Sequence, residues 1–520
     1  MTEWWRRAVF YQVYVRSFAD SDGDGIGDLE GIRTHLPYLK ELGVDGIWLT
    51  PFYPSPGADH GYDVADYRGV DPQFGSLDDF DALLTDAHEL GLKLIMDIVP
   101  NHTSSEHEWF RNARSSPEHP DRARYIFRPG RNGGPPNNWV SVFGGPAWTQ
   151  DTGSGEYYLH LFAPEQPDLD WHNPVVQQDF EETLRFWFDR GIDGFRIDVA
   201  HALFKDRELR DEPGRPDEPV EGTDYQGLDQ SFAVDQAELH PLYRRWRALV
   251  DEYPGERMLV GEVFLYDPKR VARYVRPDEL HLSFNFMLLP EPWEAQPMRA
   301  AIDRTIAELA EVGATPTWVL ENHDVTRLPT RYGGGALGDA RARAVSLLLL
   351  GLPGTVFIYE GQELGLEEVD LPDALRQDPI FFRTDGQLKG RDGCRVPIPW
   401  TTDAPGFGFT TGEPWLPPPA GWGEASVEAQ SAQPGSFLSL YRLLLSARRE
   451  SEALRSGSFE WFESPAGAIV FERCSGDERI WCGLNIDAEP VSLPQGQVLV
   501  STAMQADVLG PGEAAWVRTS

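Results

Sequence analysis

NPVVQQDFEETLRFWFDRGIDGFRIDV, residues 173–199, contains one complete helix-to-strand unit. Asn173 is a residue type that caps a helix, and Pro174 suits the first helical position, where no backbone N–H is needed. Val176, Phe180, Leu184 and Trp187 recur at three- and four-residue spacing and form one apolar stripe. Gly191 can adopt the left-handed conformation that ends a helix. Residues 194–199 then read as a buried strand that carries Arg196 and Asp198. Two residues apart on a strand, these side chains leave the same face.

The same unit recurs on either side. Ser76 with Asp79 makes a capping box, followed by Phe80, Leu83, Leu84, Ala87 and Leu90 on one face and then a strand at 93–99. Further apolar runs at 8–15, 46–50, 258–263, 281–286, 317–321 and 356–359 bring the strands to about eight. Strands alternating with amphipathic helices give an α/β protein with a parallel sheet, and eight such units give a (β/α)8 TIM barrel. The barrel is expected over 1–102 and 173–455. Residues 103–172, rich in Gly, Pro and aromatic residues with little helical period, read as an insertion domain after strand 3. Residues 366–435 form a long loop, and loops of that length in a compact domain are usually functional. Short strands and turns over 456–520 predict a C-terminal antiparallel β domain.

A chain of 520 residues with 17 Trp and 41 % apolar residues is an ordered globular protein. Its net charge of −37 argues against nucleic acid and anionic membranes as partners. The N-terminal segment Met1–Arg7 has no apolar core of a signal peptide, and no stretch is long and apolar enough to span a bilayer. Three cysteines, with Cys474 and Cys482 placed to face each other across a hairpin, suit a reducing compartment, so a cytoplasmic monomer is expected.

The chemical signal lies at strand ends. Asp97, Asp198, Glu262 and Asp324 each close an apolar run on a different strand, with Asn101, His102, Arg196, His201 and His323 beside them. One such carboxylate is usually a cap or a solvated loop residue. Four on one barrel face can supply what glycoside hydrolysis needs: a carboxyl to protonate the leaving oxygen, and a carboxylate to attack or to activate water. Asp20, Asp22, Asp24 and Asp28 stand at alternate positions in a Gly-rich loop, a pattern for a hard cation such as Ca²⁺ or Mg²⁺, although Gly31 at the twelfth position rules out an EF-hand.

Six stretches, in order, resemble the signatures of the α-amylase superfamily, glycoside hydrolase family 13: Asp97-Ile98-Val99-Pro100-Asn101-His102, Gln166-Pro167-Asp168-Leu169-Asp170-Trp171, Gly194-Phe195-Arg196-Ile197-Asp198, Gly261-Glu262-Val263, Glu321-Asn322-His323-Asp324, and Gly351-Leu352-Pro353-Gly354-Thr355 with Tyr359-Glu360-Gly361-Gln362-Glu363. The resemblance implies that Asp198 is the nucleophile, Glu262 the general acid/base and Asp324 the holder of the sugar's 2- and 3-hydroxyls. It implies that His102 and His323 donate to the bound glucose, that Tyr62 stacks on it and that Arg196 keeps Asp198 ionised. Residues 61–67 and 390–397 resemble the α-glucosidase and oligo-1,6-glucosidase branch. That likeness implies an Asp63–Arg395 pair sealing the glucose site, with Phe143 in its wall. It also implies a structural divalent ion held by Asp20, Asp22, Asp24, the Ile26 carbonyl and Asp28, and no organic cofactor.

The activity so implied is a retaining exo-α-glucosidase acting on small oligosaccharides or disaccharides, α-1,4-linked ones first. The alternatives are an oligo-1,6-glucosidase, a transglycosylase or isomerase such as a trehalose synthase or sucrose isomerase, and a non-catalytic transporter partner. Val199, after the expected nucleophile, is common in α-1,6 enzymes of the branch, whereas Ala200-His201 departs from the Ile-Asn usual there.

Overall fold

Eight parallel strands line up around one core: β1 (Val9–Val13), β2 (Gly46–Leu49), β3 (Lys93–Ile98), β4 (Gly194–Ile197), β5 (Met258–Gly261), β6 (Leu282–Ser283), β7 (Thr317–Val319) and β8 (Thr355–Tyr359). Their order is β7-β8-β1-β2-β3-β4-β5-β6, and a parallel bridge between Asn285, just past β6, and Trp318 in β7 nearly closes the ring. The computed structural model describes residues 3–212, 231–403, 406–487 and 489–519.

Local chemistry sets the element ends. Ser76 and Asp79 form the capping box of the helix Leu77–Glu89, and Asn173 accepts from Val175 N at 3.0 Å at the start of Pro174–Arg190. Gly191 ends that helix at φ 107°. Val176, Phe180, Leu184 and Trp187 are all buried, and the Trp187 indole donates to Tyr67 O at 2.8 Å. Each fully buried side chain of this kind contributes about 1.5–3 kcal/mol. The sixth strand is shorter than its apolar run. Asn285 Oδ1 accepts from Met287 N at 3.0 Å, a turn that draws the chain out of the ladder. The fourth ends at Ile197 because Val199 turns to φ 45°, which a β-branched residue rarely adopts.

Between β3 and β4 lies a small antiparallel sheet of Phe127–Arg128, Tyr157–Leu159 and Trp148–Gln150, in that order. It is joined to the barrel through Lys205, in the loop after β4. The buried Lys205 ammonium meets Asp168 Oδ2, Asn101 Oδ1 and Ala202 O, each at 2.6 Å.

At the C-terminus β9 (Ser458–Trp461), β10 (Ala468–Ser475), β11 (Glu478–Asn485), β12 (Gln497–Ser501) and β13 (Glu513–Thr519) form an antiparallel sheet in the order β9-β10-β11-β13-β12. It packs on the helix Gly335–Gly351, where Trp516 Nε1 donates to Leu347 O at 3.0 Å and Arg473 Nη1 to Gly351 O at 2.8 Å. Cys474 and Cys482 do not face each other. The register places Cys474 opposite Arg479 and Cys482 opposite Phe471, and all three thiols are free.

Candidate active site

Strand ends bring the four carboxylates together. Asp97 lies on β3, Asp198 and Glu262 directly follow β4 and β5, and Asp324 lies in the loop after β7. Arg196, 1 % exposed, is the hub of the first three. Its Nη1 donates to Asp97 Oδ1 at 2.6 Å and Asp198 Oδ1 at 2.7 Å, and its Nη2 lies 2.7 Å from Glu262 Oε1. Trp48 Nε1 and Tyr62 Oη satisfy the other Asp97 oxygen at 3.0 and 3.1 Å. The strained Val199 aims its N–H at Glu262 Oε2, 3.0 Å away.

Burial pushes the Asp198 and Glu262 carboxyls up, Arg196 opposes it, and each buried negative charge makes the others harder to form. The surroundings of Asp324 act the other way. Burial would raise it, but the cations Arg391, Arg395 and Arg196 outweigh that and hold it well below the usual carboxylate range. Asp324 is thus kept ionised, while Arg196 lessens but does not cancel the rise at Asp198, contrary to the expectation that it keeps that carboxyl ionised, so the Asp198–Glu262 pair retains a proton more readily than isolated carboxyls.

Both histidines are buried and neutral, His102 being lowered by burial to about 4 and His323 well below its ordinary value. Gln12 Nε2 meets His323 Nδ1 at 2.6 Å, leaving the ring proton on Nε2, which lies 3.3 Å from Asp324 Oδ2. Because an ammonium can only donate, Lys205 fixes Asn101 Oδ1 toward itself and turns Asn101 Nδ2 to His102 Nδ1 at 3.1 Å. His102 Nε2 lies between Tyr62 O at 3.2 Å and Gln166 Nε2 at 3.1 Å. Tyr62 stacks on His323, with ring centroids 5.3 Å apart and an interplanar angle of 5°.

Tyr62, His102, Phe143, Asp198, His323 and Asp324 line one pocket. The expected Asp63–Arg395 pair does not form. Asp63 folds back on its own loop, accepting from Ser55 Oγ, Asp59 N and Ala58 N at 2.9, 2.9 and 3.0 Å. With no cation against it, burial lifts Asp63 to about 6. Arg395 instead donates to His323 O at 2.8 Å and Asp324 Oδ1 at 2.9 Å. The pair that does meet is Asp59–Arg391, at 2.7 Å, each four residues earlier in its loop. Arg391 also reaches Asp324 Oδ1 at 3.2 Å and lies over the Phe143 ring at 4.8 Å. The signal for Asp59 was its place three residues before Tyr62, and that for Arg391 its place between Gly390 and Asp392. Phe162, which lines the pocket, and Asp378, which accepts from Arg391, carried no sequence signal.

In the acidic loop, carboxylate oxygens of Asp20, Asp22 and Asp28 lie within 4.8 Å of one another, a hard-oxygen set that fits a divalent cation. Asp24 is not in this group. Its Oδ1 accepts from Ile26 N at 2.8 Å. Among the described residues no helix is long and apolar enough to cross a membrane.

A family model for the α-amylase catalytic domain matches residues 12–457. A probable α-glucosidase of Rhizobium meliloti (strain 1021) is 41 % identical over 501 residues, covering 94 % of this chain and 90 % of that protein. An oligo-1,6-glucosidase of Parageobacillus thermoglucosidasius is 37 % identical, covering 92 % and 89 %. Among solved structures, the α-glucosyl transfer enzyme XgtA superposes with a TM-score of 0.91 at 41 % identity over 100 % of both chains. The trehalulose synthase MutB of Pseudomonas mesoacidophila MX-45 does so with a TM-score of 0.89 at 33 % identity, again over 100 % of both.

Proposed function

The chain belongs to the α-amylase catalytic-domain family, and on that footing we propose that it is a retaining, exo-acting α-glucosidase that releases glucose from the non-reducing end of short α-glucosides. Asp198 attacks the anomeric carbon as the bond to the leaving oxygen breaks, and Glu262 gives that oxygen a proton. Glu262 then takes a proton from the water that displaces Asp198. Asp324, His102 and His323 hold hydroxyls of the ring against Tyr62.

The observation that carries this reading is the position of Arg196. One guanidinium reaches both Asp198 and Glu262 at 2.7 Å, which gathers the two carboxyls that double displacement needs around one buried cation. Exo action is supported by Asp59 and Arg391, whose pair borders the same pocket. Initial rates on maltose, isomaltose, sucrose and trehalose test the substrate order, with maltose expected first. A chain inert toward all four would overturn the reading. Transfer to a second sugar is the competing fate of the intermediate, favoured by the likeness to XgtA and MutB. New disaccharides in excess maltose would reveal it.

The pH profile follows from Glu262. Its carboxyl is raised by burial, so the protonated acid persists above the ordinary glutamate range and is lost as pH rises through the raised value. kcat/KM on maltose should therefore fall on the alkaline side. With α-glucosyl fluoride, whose leaving group needs no proton, that limb should fade. An unchanged limb would assign it to another group.

We assign the Asp20–Asp28 loop to a structural Ca²⁺ or Mg²⁺, supported by the convergence of Asp20, Asp22 and Asp28. Chelation should lower Tm by about 2–3 °C for a site held at about a hundredfold saturation, while turnover at low temperature persists. A Tm unmoved by chelator and by added Ca²⁺ and Mg²⁺ would count against it. A cytoplasmic monomer fits the three free thiols and the charge of −37.

A further inference from the structure

Arg391 has five N–H donors, and four are spent on carboxylates. Nε donates to Asp378 Oδ2 at 2.6 Å, Nη2 to Asp59 Oδ1 at 2.7 Å and Asp378 Oδ1 at 3.2 Å, and Nη1 to Asp324 Oδ1 at 3.2 Å. One Nη1–H remains, on a residue that lines the pocket. Two of these carboxylates, Asp59 and Asp324, face the pocket themselves. Asp378 does not line it and is fully buried.

Asp378 grips Arg391 by more than the fork. Its Oδ2 also accepts from Arg391 N at 2.7 Å, so backbone and side chain of the same residue are held by one carboxylate. Gly390, at φ 74°, permits this approach. A Cβ there would lie 2.7 Å from the Asp378 Cβ and 2.8 Å from its Cγ. Asp378 also caps the helix Pro379–Arg383, accepting from Ile380 N at 2.8 Å. From that helix Arg383 Nη2 donates to Gly144 O at 2.6 Å, beside Phe143, whose ring lies under Arg391. Burial pushes the Asp378 carboxyl up, but Arg391 and then Arg395 outweigh it, so the group stays ionised.

We propose that Asp378 is a positioning residue for substrate recognition: its two-pronged hold fixes the plane of the Arg391 guanidinium, so that the remaining Nη1–H points at a hydroxyl of the terminal sugar. The proposal rests on the α-glucosidase reading. A guanidinium free to rotate about its long side chain would present that donor only part of the time, and catalysis needs the sugar held in one pose.

Capping and gripping can be separated. Asn and Ser are both good helix caps but neither carries the charge nor matches the fork of Arg391. Asp378→Asn and Asp378→Ser should each keep a cooperative melt and lose at least about tenfold in kcat/KM on p-nitrophenyl α-glucoside. In an Arg391→Ala background the same two substitutions should cost little more, because the group they position is gone. Folded variants with wild-type kcat/KM would overturn the proposal. So would an undiminished loss in the Arg391→Ala background, or two variants that fail to fold, since either outcome makes Asp378 a structural residue. Wild-type protein inert on every α-glucoside would instead strike the functional reading on which the proposal stands.

Discussion

Asp198→Asn is expected to lower kcat on maltose by about 10⁴-fold or more, equivalent to about 5.5 kcal/mol of transition-state stabilisation, with the fold retained. The amide keeps the shape of the carboxyl, and its oxygen can still accept from Arg196 Nη1, now 2.7 Å from Asp198 Oδ1. What it loses is the ability to form the glycosyl ester, and no neighbouring carboxylate can take over. Asp97 is occupied by Arg196, Trp48 and Tyr62, and Asp324 by His323, Arg391 and Arg395. In the wild-type protein, NMR should show α-glucose released first. Turnover of Asp198→Asn within about tenfold of wild type, or β-glucose as the first product, would remove Asp198 from the role.

Arg391→Ala should lose at least about a hundredfold in kcat/KM, roughly 2.7 kcal/mol. The guanidinium lies among Asp59, Asp324 and Asp378, at 2.7, 3.2 and 2.6 Å, all 6 % exposed or less. Removing it leaves three buried carboxylates short of a cation, and breaking even one buried pair typically costs about 3–5 kcal/mol. Some of that cost falls on stability, so Tm must be measured beside activity. Arg391→Lys separates the two effects: it restores the charge without the planar fork, and should recover stability more than kcat/KM. Wild-type enzyme should leave an end-blocked maltooligosaccharide intact, because the Asp59–Arg391 pair borders the glucose pocket. Rapid internal cleavage would mean an open cleft. Arg391→Ala with unchanged kcat/KM would mean that the pair does not touch the sugar.

The barrel could be read from the sequence because each strand is a short apolar run that ends in a chemically distinct residue, and because Asn173, Pro174 and Gly191 mark helix ends by local chemistry alone. The carboxylates proposed for catalysis could be placed for the same reason: Asp198 and Glu262 sit one residue past a strand, where geometry is dictated by the ladder. The clamp was not. Asp59 and Asp63 lie in one loop, as do Arg391 and Arg395, and nothing local says which of each pair faces the pocket. The choice is made by contacts across 332 residues of chain for Asp59–Arg391, and by the loop's own N–H groups, which capture Asp63. Asp378 was invisible because its role depends wholly on where a long loop folds back. The cysteines illustrate register: whether Cys474 and Cys482 face each other depends on the hairpin turn, which places Ser475 opposite Glu478.

The Lys205 ammonium, enclosed by the oxygens of Asp168, Asn101 and Ala202, occupies its cage as a bound ion would, but it is part of the chain. A tethered ion has no dissociation constant and no off-rate. Mass action would govern an ion in the Asp20–Asp28 loop, where a chelator could compete, and has no hold on the seam between insertion and barrel. The seam answers to a different variable. Burial pushes the Lys205 ammonium below its ordinary value, against the pull of Asp168, so this internal ion is discharged by alkali earlier than a surface lysine would be. The orientation of Asn101 is therefore insensitive to the composition of the salt and is released by alkali milder than a surface lysine would withstand.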